Sequence, residues 1–232
     1  MTNTRTALTV RTAVPDDAGR LISVLAEAFL PDPVAEWLIP DHRDRRFFSY
    51  RYFTHVVGHG LEHGQVNTTA DGSAVAIWYP EPSHETTAEH REAVEAAAGG
   101  YASRFALLEE MFQSHHPHDA HHYLAFVAVT PEQQGKGVGT AMLREYHRLL
   151  DNLDRHAYAL ATSSRNRNLY LRLGYLPGPS MTLPNNGPQV WRMWRAPHGS
   201  SVPAGFFDPS LTRSPVLCEH GGDRANAAGD AR

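Results

Sequence analysis

Gln134-Gly135-Lys136-Gly137-Val138-Gly139-Thr140 is the stretch whose residue types and spacing point most directly to chemistry. Three glycines alternate within it, and each leaves the backbone amides open to a ligand. The run Tyr123 to Val129 precedes it and reads as a buried strand. Met142, Leu143, Tyr146, Leu149 and Leu150 follow at helical spacing, with Arg144, Glu145 and Arg148 between them. A strand therefore enters a glycine turn and a helix leaves it. That arrangement aims several N–H groups and the positive end of the helix dipole at one point. A phosphate-bearing ligand is the natural occupant. Lys136, the only lysine of the chain, adds one ammonium there.

Spacing rules out two common phosphate loops. A Walker A loop needs Ser or Thr directly after its lysine, and Gly137 follows Lys136. The dinucleotide fingerprint G-x-G-x-x-G fails because the glycines stand at 135, 137 and 139. It also needs an acid after the next strand, whereas Ala157 to Ala161 runs into Thr162-Ser163-Ser164.

The pattern Q/R-x-x-G-x-G/A, met by Gln134, Gly137 and Gly139, resembles the pyrophosphate loop of the GCN5-related N-acetyltransferases (GNAT). Downstream, Asn166, Leu169, Tyr170, Gly174 and Tyr175 resemble the family's N-x-x-L-Y-x-x-x-G-F/Y ending. The opening half has a subgroup's look. Ala28-Phe29 with Asp32-Pro33 and Trp37-Leu38-Ile39-Pro40-Asp41 resemble the start of small-molecule acetyltransferases similar to puromycin N-acetyltransferase. Ala76 to Pro82 and His118 to Leu124 resemble two further blocks of that subgroup, and the likeness spans roughly residues 8 to 195.

The resemblance implies acetyl-CoA as co-substrate. Its pyrophosphate would rest on the amides of Gly135, Lys136, Gly137, Val138, Gly139 and Thr140, next to Gln134. Its pantetheine arm would run along Val127, Ala128 and Val129, and Asn166 would help to hold it. Tyr170 would protonate the leaving thiolate: a thiol of pKa ~8.5 needs a donor, and a phenol of pKa ~10 stays protonated to serve. An oxyanion would be met by a backbone N–H of the Val127–Val129 strand. A core aromatic beside Leu169 and Leu173 is the alternative account of Tyr170.

The general base is less legible. Glu81, just after a strand, is the first candidate, with Glu27 and Asp32 next. Trp37, Trp78 and His121 are candidates for acceptor binding, and Phe47, Phe48 and Tyr52 could join them; core packing is the alternative for each aromatic. The run His115-His116-Pro117-His118-Asp119-Ala120-His121-His122 lacks a helical H-E-x-x-H spacing and a nearby cysteine. It reads as a polar loop, not a metal site.

Composition sets the bounds. The chain has 232 residues, 41% hydrophobic and 20% charged, the profile of one ordinary globular domain. A formal charge of −4 offers no basic face for nucleic acid. No apolar run reaches membrane-span length, and Met1 to Thr9 lacks a signal peptide's hydrophobic stretch. The single cysteine, Cys218, fits a reducing cytoplasm and leaves no thiol near the site for an acyl-enzyme.

The elements that must position these residues alternate between strand and helix. Leu8 to Arg11 predicts a strand and Asp16 to Phe29 a helix; Arg43 to Val57 predicts a second, unusually aromatic helix. Gly64 to Thr69 and Ala74 to Tyr79 form a hairpin pattern around Asp71-Gly72. Glu85 to Ala98 and Tyr101 to Phe112 read as helices split by Gly99-Gly100, and Gln189 to Trp194 as the last strand. The expected fold is α+β, a central mixed, mostly antiparallel sheet of about seven strands flanked by helices. Residues 1 to 196 would form the acetyltransferase domain and 197 to 232 a disordered tail rich in Gly, Ser, Pro, Asp and Ala. The expected acceptor is a primary amine on a small molecule. A protein amine, or a non-catalytic acyl-CoA-binding sensor, is the competing expectation. An exposed last strand would leave a homodimer open.

Overall fold

The computed structural model describes residues 8–80 and 88–207. Seven strands form one sheet in the order β1-β2-β3-β4-β5-β7-β6. They are β1 (Val10–Thr12), β2 (Gln65–Thr69), β3 (Ala74–Tyr79), β4 (His122–Val129), β5 (Ala157–Ala161), β6 (Leu176–Thr182) and β7 (Gln189–Arg195). The β4–β5 pair is parallel and every other neighbouring pair is antiparallel. The α+β sheet expected from the sequence is therefore present.

Seven helices among the described residues flank it: α1 (Ala18–Phe29), α2 (Pro33–Leu38), α3 (His42–His63), α4 (Ala88–Ala98), α5 (Ala102–Ser114), α6 (Val138–Asn152) and α7 (Ser164–Arg172). Strand alternation assigns them to faces. Val75, Ile77 and Tyr79 pack towards α1 and α3, with Leu21, Leu25, Phe53 and Val57. Ala74, Ala76 and Trp78 pack towards α6, with Met142, Leu143, Tyr146 and Leu150. A third cluster joins α2, α4 and α5 to the β6–β7 end through Val34, Leu38, Phe105, Met181 and Val190.

Three expectations need correction. The helix predicted over 43–57 runs from His42 to His63: the Asp41 side chain accepts from the amides of Arg43 and Asp44 and fixes the start, and the helix continues past Val57 until Gly64 turns extended. The last strand is not an edge: β7 sits between β5 and β6, and the edge belongs to β6, which carries Pro177 and Pro179. The fold also continues past residue 197. Ala204–Phe207 forms a short 3-10 turn, and Phe206 is buried against Tyr158 and Trp194.

Candidate active site

The sheet opens at its centre. β4 pairs with β5 only from His122 to Leu124, although it pairs with β3 from Tyr123 to Val129. Ala125 is an extra residue in the β3–β4 register, which passes from Ile77↔Phe126 to Trp78↔Leu124. A bulge of this kind bends the strand and increases its twist. Beyond it, Ala125 to Val129 have no β5 partner, while Leu160 and Ala161 pair only with β7. The two strands thus diverge and leave one backbone edge of β4 available to an extended ligand.

The glycine turn closes the wide end of this gap. Gly135 and Gly137 hold φ of 75° and 85°, which only glycine adopts without strain, and Gly137 is the N-cap of α6. Among the described residues no side chain caps α6, nor α1 and α5, which are entered directly from 3-10 turns. By contrast, Asp32, Asp41 and Ser163 cap α2, α3 and α7. The first-turn amides of α6 are thus presented to an anion from outside. Gln134 holds the turn in place: its Nε2 donates to the Val129 carbonyl at 3.0 Å, and its Oε1 accepts from Arg165 at 2.9 Å.

A cavity of about 280 Å³ lies on the α1/α3 face and reaches into the gap, where Val127, Leu160, Thr162, Asn166 and Tyr170 meet it. Tyr170 is only 3% exposed, and burial, followed by Tyr123 and Asp32, pushes its phenol well above the ordinary range. It therefore stays protonated at any physiological pH. Asp32 also lines the cavity, accepting from Thr162 Oγ1 at 2.5 Å and from the amides of Val34 and Ala35 at 2.9 and 3.4 Å. Its carboxyl is raised by burial, against the lowering effect of those three bonds. Glu109, which also lines the cavity, keeps a buried Oε1 with no hydrogen-bond partner among the described residues. Phe48, Tyr52, Phe53 and Phe126 supply an apolar lining.

Several sequence-chosen residues stand elsewhere. Trp78 is fully buried on the opposite face, stacked on Tyr146 at 4.3 Å between centroids, so it cannot line this cavity. Trp37 donates its indole N–H to the Pro184 carbonyl at 3.0 Å, clamping α2 to the β6–β7 turn. His121 is buried under the strands, with Nε2 2.9 Å from His116 Nε2 and its ring against Tyr158 and Trp194. Phe47 is 60% exposed. Glu27 is exposed on α1, away from the cavity, and Glu81 lies outside the described residues. In the histidine run, His115 Nδ1 lies 2.8 Å from the Met111 carbonyl, and among the described residues no group of three or more ligating side chains could hold a metal. Sequence reasoning missed Tyr79, Tyr123, His59 and Glu109. All four line the cavity, yet nothing in their spacing sets them apart.

An acetyltransferase (GNAT) domain model matches residues 93–177, which span α5, β4, the glycine turn, α6, β5 and α7. A solved Corynebacterium glutamicum structure described as histone acetyltransferase HPA2 and related acetyltransferase is 26% identical, with a TM-score of 0.59 over 84% of this chain and 99% of that one. Arylalkylamine N-acetyltransferase 2 from Aedes aegypti is 13% identical, with a TM-score of 0.55 over 82% of this chain and 99% of its own. The polyamine N-acetyltransferase of Drosophila melanogaster, described as forming N-acetylagmatine, is 18% identical with a TM-score of 0.55 over the same shares. The last two show likeness of fold. Together the domain match and the structural likeness support an acetyl-CoA-dependent N-acetyltransferase.

Proposed function

We propose that this chain transfers an acetyl group from acetyl-CoA directly to the primary amine of a small molecule, within a ternary complex. The observation that carries the reading is the opening between β4 and β5. Uncapped amides of α6 stand at one end of it and the Tyr170 cavity at the other. In this reading the α6 turn binds pyrophosphate, and the free edge of β4 from Ala125 to Val129 takes the pantetheine amides as an added strand. Asn166 borders the thioester end. A β4 amide meets the carbonyl oxygen as the amine attacks. The carbon–sulfur bond then breaks, the Tyr170 hydroxyl gives its proton to the departing thiolate, and the proton shed by the newly acylated nitrogen restores the phenol. No cysteine occurs among residues 8–207, which favours direct transfer over an acyl-enzyme.

The acceptor reading rests on the cavity lining. Two carboxylates, Asp32 and Glu109, face an apolar, aromatic enclosure, a combination suited to a small cationic amine. The similarity of the opening half to puromycin N-acetyltransferase points the same way, as do neighbours described as acting on arylalkylamines and polyamines.

Gly139→Asp tests the cofactor half. A Cβ at Gly139 would meet only Val129 Cγ2, at 3.4 Å, and an acid in a first helical turn suits the dipole, so the variant should fold. Acetyl-CoA at a hundredfold excess over its Kd should stabilise the native chain by ~2.7 kcal/mol. The variant should unfold normally without ligand yet show no shift with it. A native chain unmoved by millimolar acetyl-CoA would sink the reading.

A further inference from the structure

The acceptor ammonium must lose a proton before its nitrogen can attack, and the cavity contains a route for it. Tyr79 ends β3 directly opposite Tyr123 of β4, and both side chains line the cavity. The Tyr79 hydroxyl lies 2.8 Å from His59 Nδ1, and His59 lines the same cavity from α3. The Tyr79 ring packs closely over Gly64, where an added Cβ would come within 3.1 Å of its Cε1. His59 continues a histidine row along α3 at every fourth residue. Ring centroids are 6.1 Å apart from His55 to His59 and 4.7 Å from His59 to His63. The His63 side chain is 50% exposed, so the row runs from the cavity to solvent.

Resting on the acetyltransferase reading, we infer that His59, acting through the Tyr79 hydroxyl, accepts the proton of the acceptor ammonium and releases it to solvent at the outer end of α3. The ammonium gives one proton to the Tyr79 oxygen while the Tyr79 hydroxyl proton moves to His59 Nδ1. The amine is left neutral with its lone pair, the phenol is restored, and the imidazolium sheds its Nε2 proton to water; proton exchange with water then returns the ring to the Nε2–H tautomer, freeing Nδ1 for the next turnover. Burial keeps Tyr79 protonated, so it relays a proton without holding a charge. Asp32 is less suited to the task, since its oxygens already accept from Thr162 and from two amides. Among the described residues, the titratable groups around His59 are Tyr79 on β3 with Tyr123 behind it, and His55 and His63 on α3. Glu62 stands 3.7 Å from His63.

His59→Gln and Tyr79→Phe test the route, with acetyl-CoA and either phenethylamine or agmatine as acceptor, by release of coenzyme A across pH 6 to 10. Each variant should lose on the order of 10²–10³ in kcat/KM near pH 7. The loss should shrink about tenfold per pH unit, vanishing near the alkylamine range of about 10, where bulk water deprotonates the acceptor. A packing defect would not be repaired by alkali. In ¹⁵N-histidine spectra, the His59 titration should move in Tyr79→Phe, a readout that needs no acceptor. An unchanged titration overturns the inference. So does a loss that is constant with pH, or a pH-dependent loss that appears in Glu109→Gln and not in His59→Gln. Turnover by the native chain with unaltered variants overturns the relay alone. No coenzyme A release by the native chain with either amine overturns the acetyltransferase reading and the relay with it.

Discussion

Tyr170 owes its proposed chemistry to burial. Its phenol faces the cavity at the mouth of the β4–β5 gap, and exclusion of water holds it protonated far above neutrality. Tyr170→Phe removes one oxygen from a site that is otherwise kept. The expected result is a fall of about 10²-fold or more in kcat, with acetyl-CoA affinity unchanged by calorimetry. A non-catalytic sensor would lose nothing, so unaltered kcat would end the proton-donor role. Motif spacing picks out Tyr170, Asn166 and the glycines, which the fold brings to the β4–β5 gap, because each position is fixed by a local turn or by one helical face. It failed for Trp78 for a physical reason. Every residue of β3 is buried, so the strand lacks the polar–apolar alternation that tells one face from the other. His59 and Tyr79 are 20 positions apart and meet only through the packing of α3 on the sheet, which no local pattern records.

At the scale of elements, Asp32 ties two halves of the fold. It caps α2 and also accepts from Thr162 at the end of β5, 130 positions away, on the arm that leads to Asn166 and Tyr170. Asp32→Ala removes the cap and this tie together and should cost about 1 to 2 kcal/mol, a fall in Tm of roughly 2–8 °C. Thr162→Val removes the tie alone. Because the two side chains share one hydrogen bond, the double variant should be less destabilised than the sum of the singles by 0.5 kcal/mol or more, at the lower end of about 0.5–3 for contacting pairs. Strict additivity in urea unfolding would show that the bond contributes nothing to the fold. Elements with strong periodicity, such as α1, α6 and β5, were legible in advance. β6 was not: its prolines argue against a strand, and it is tolerated at the sheet edge with a register shift between Pro177 and Ser180. The α2 turn is too short for periodicity and is declared only by its cap.

For the whole molecule, acid stability should turn on the second face of the sheet. His147 is buried between α6 and the strands, its Nε2 3.0 Å from the Tyr175 hydroxyl and its ring edge-on to Trp78. Burial, with a smaller contribution from Arg195, holds its imidazole neutral and lowers its pKa from 6.5 to about 3. The unfolded chain therefore binds a proton that the folded chain refuses between those two values, so stability falls as pH falls below about 6.5. The slope from this one group is at most about 1.4 kcal/mol per pH unit. His122 and His156 are lowered in the same sense by their own burial, which is why only a comparison isolates His147. The Asp151 carboxylate, paired with Arg195 at 2.7 Å, adds to the slope only near and below its ordinary value of 3.8. Urea unfolding at pH 7, 6, 5 and 4 should thus show His147→Gln less stable than the native chain at pH 7 and closing on it as the pH drops. The convergence measures how firmly this face excludes the charge. Parallel curves would mean that the imidazole can be protonated in place, and that the packing of α6 against the sheet admits water.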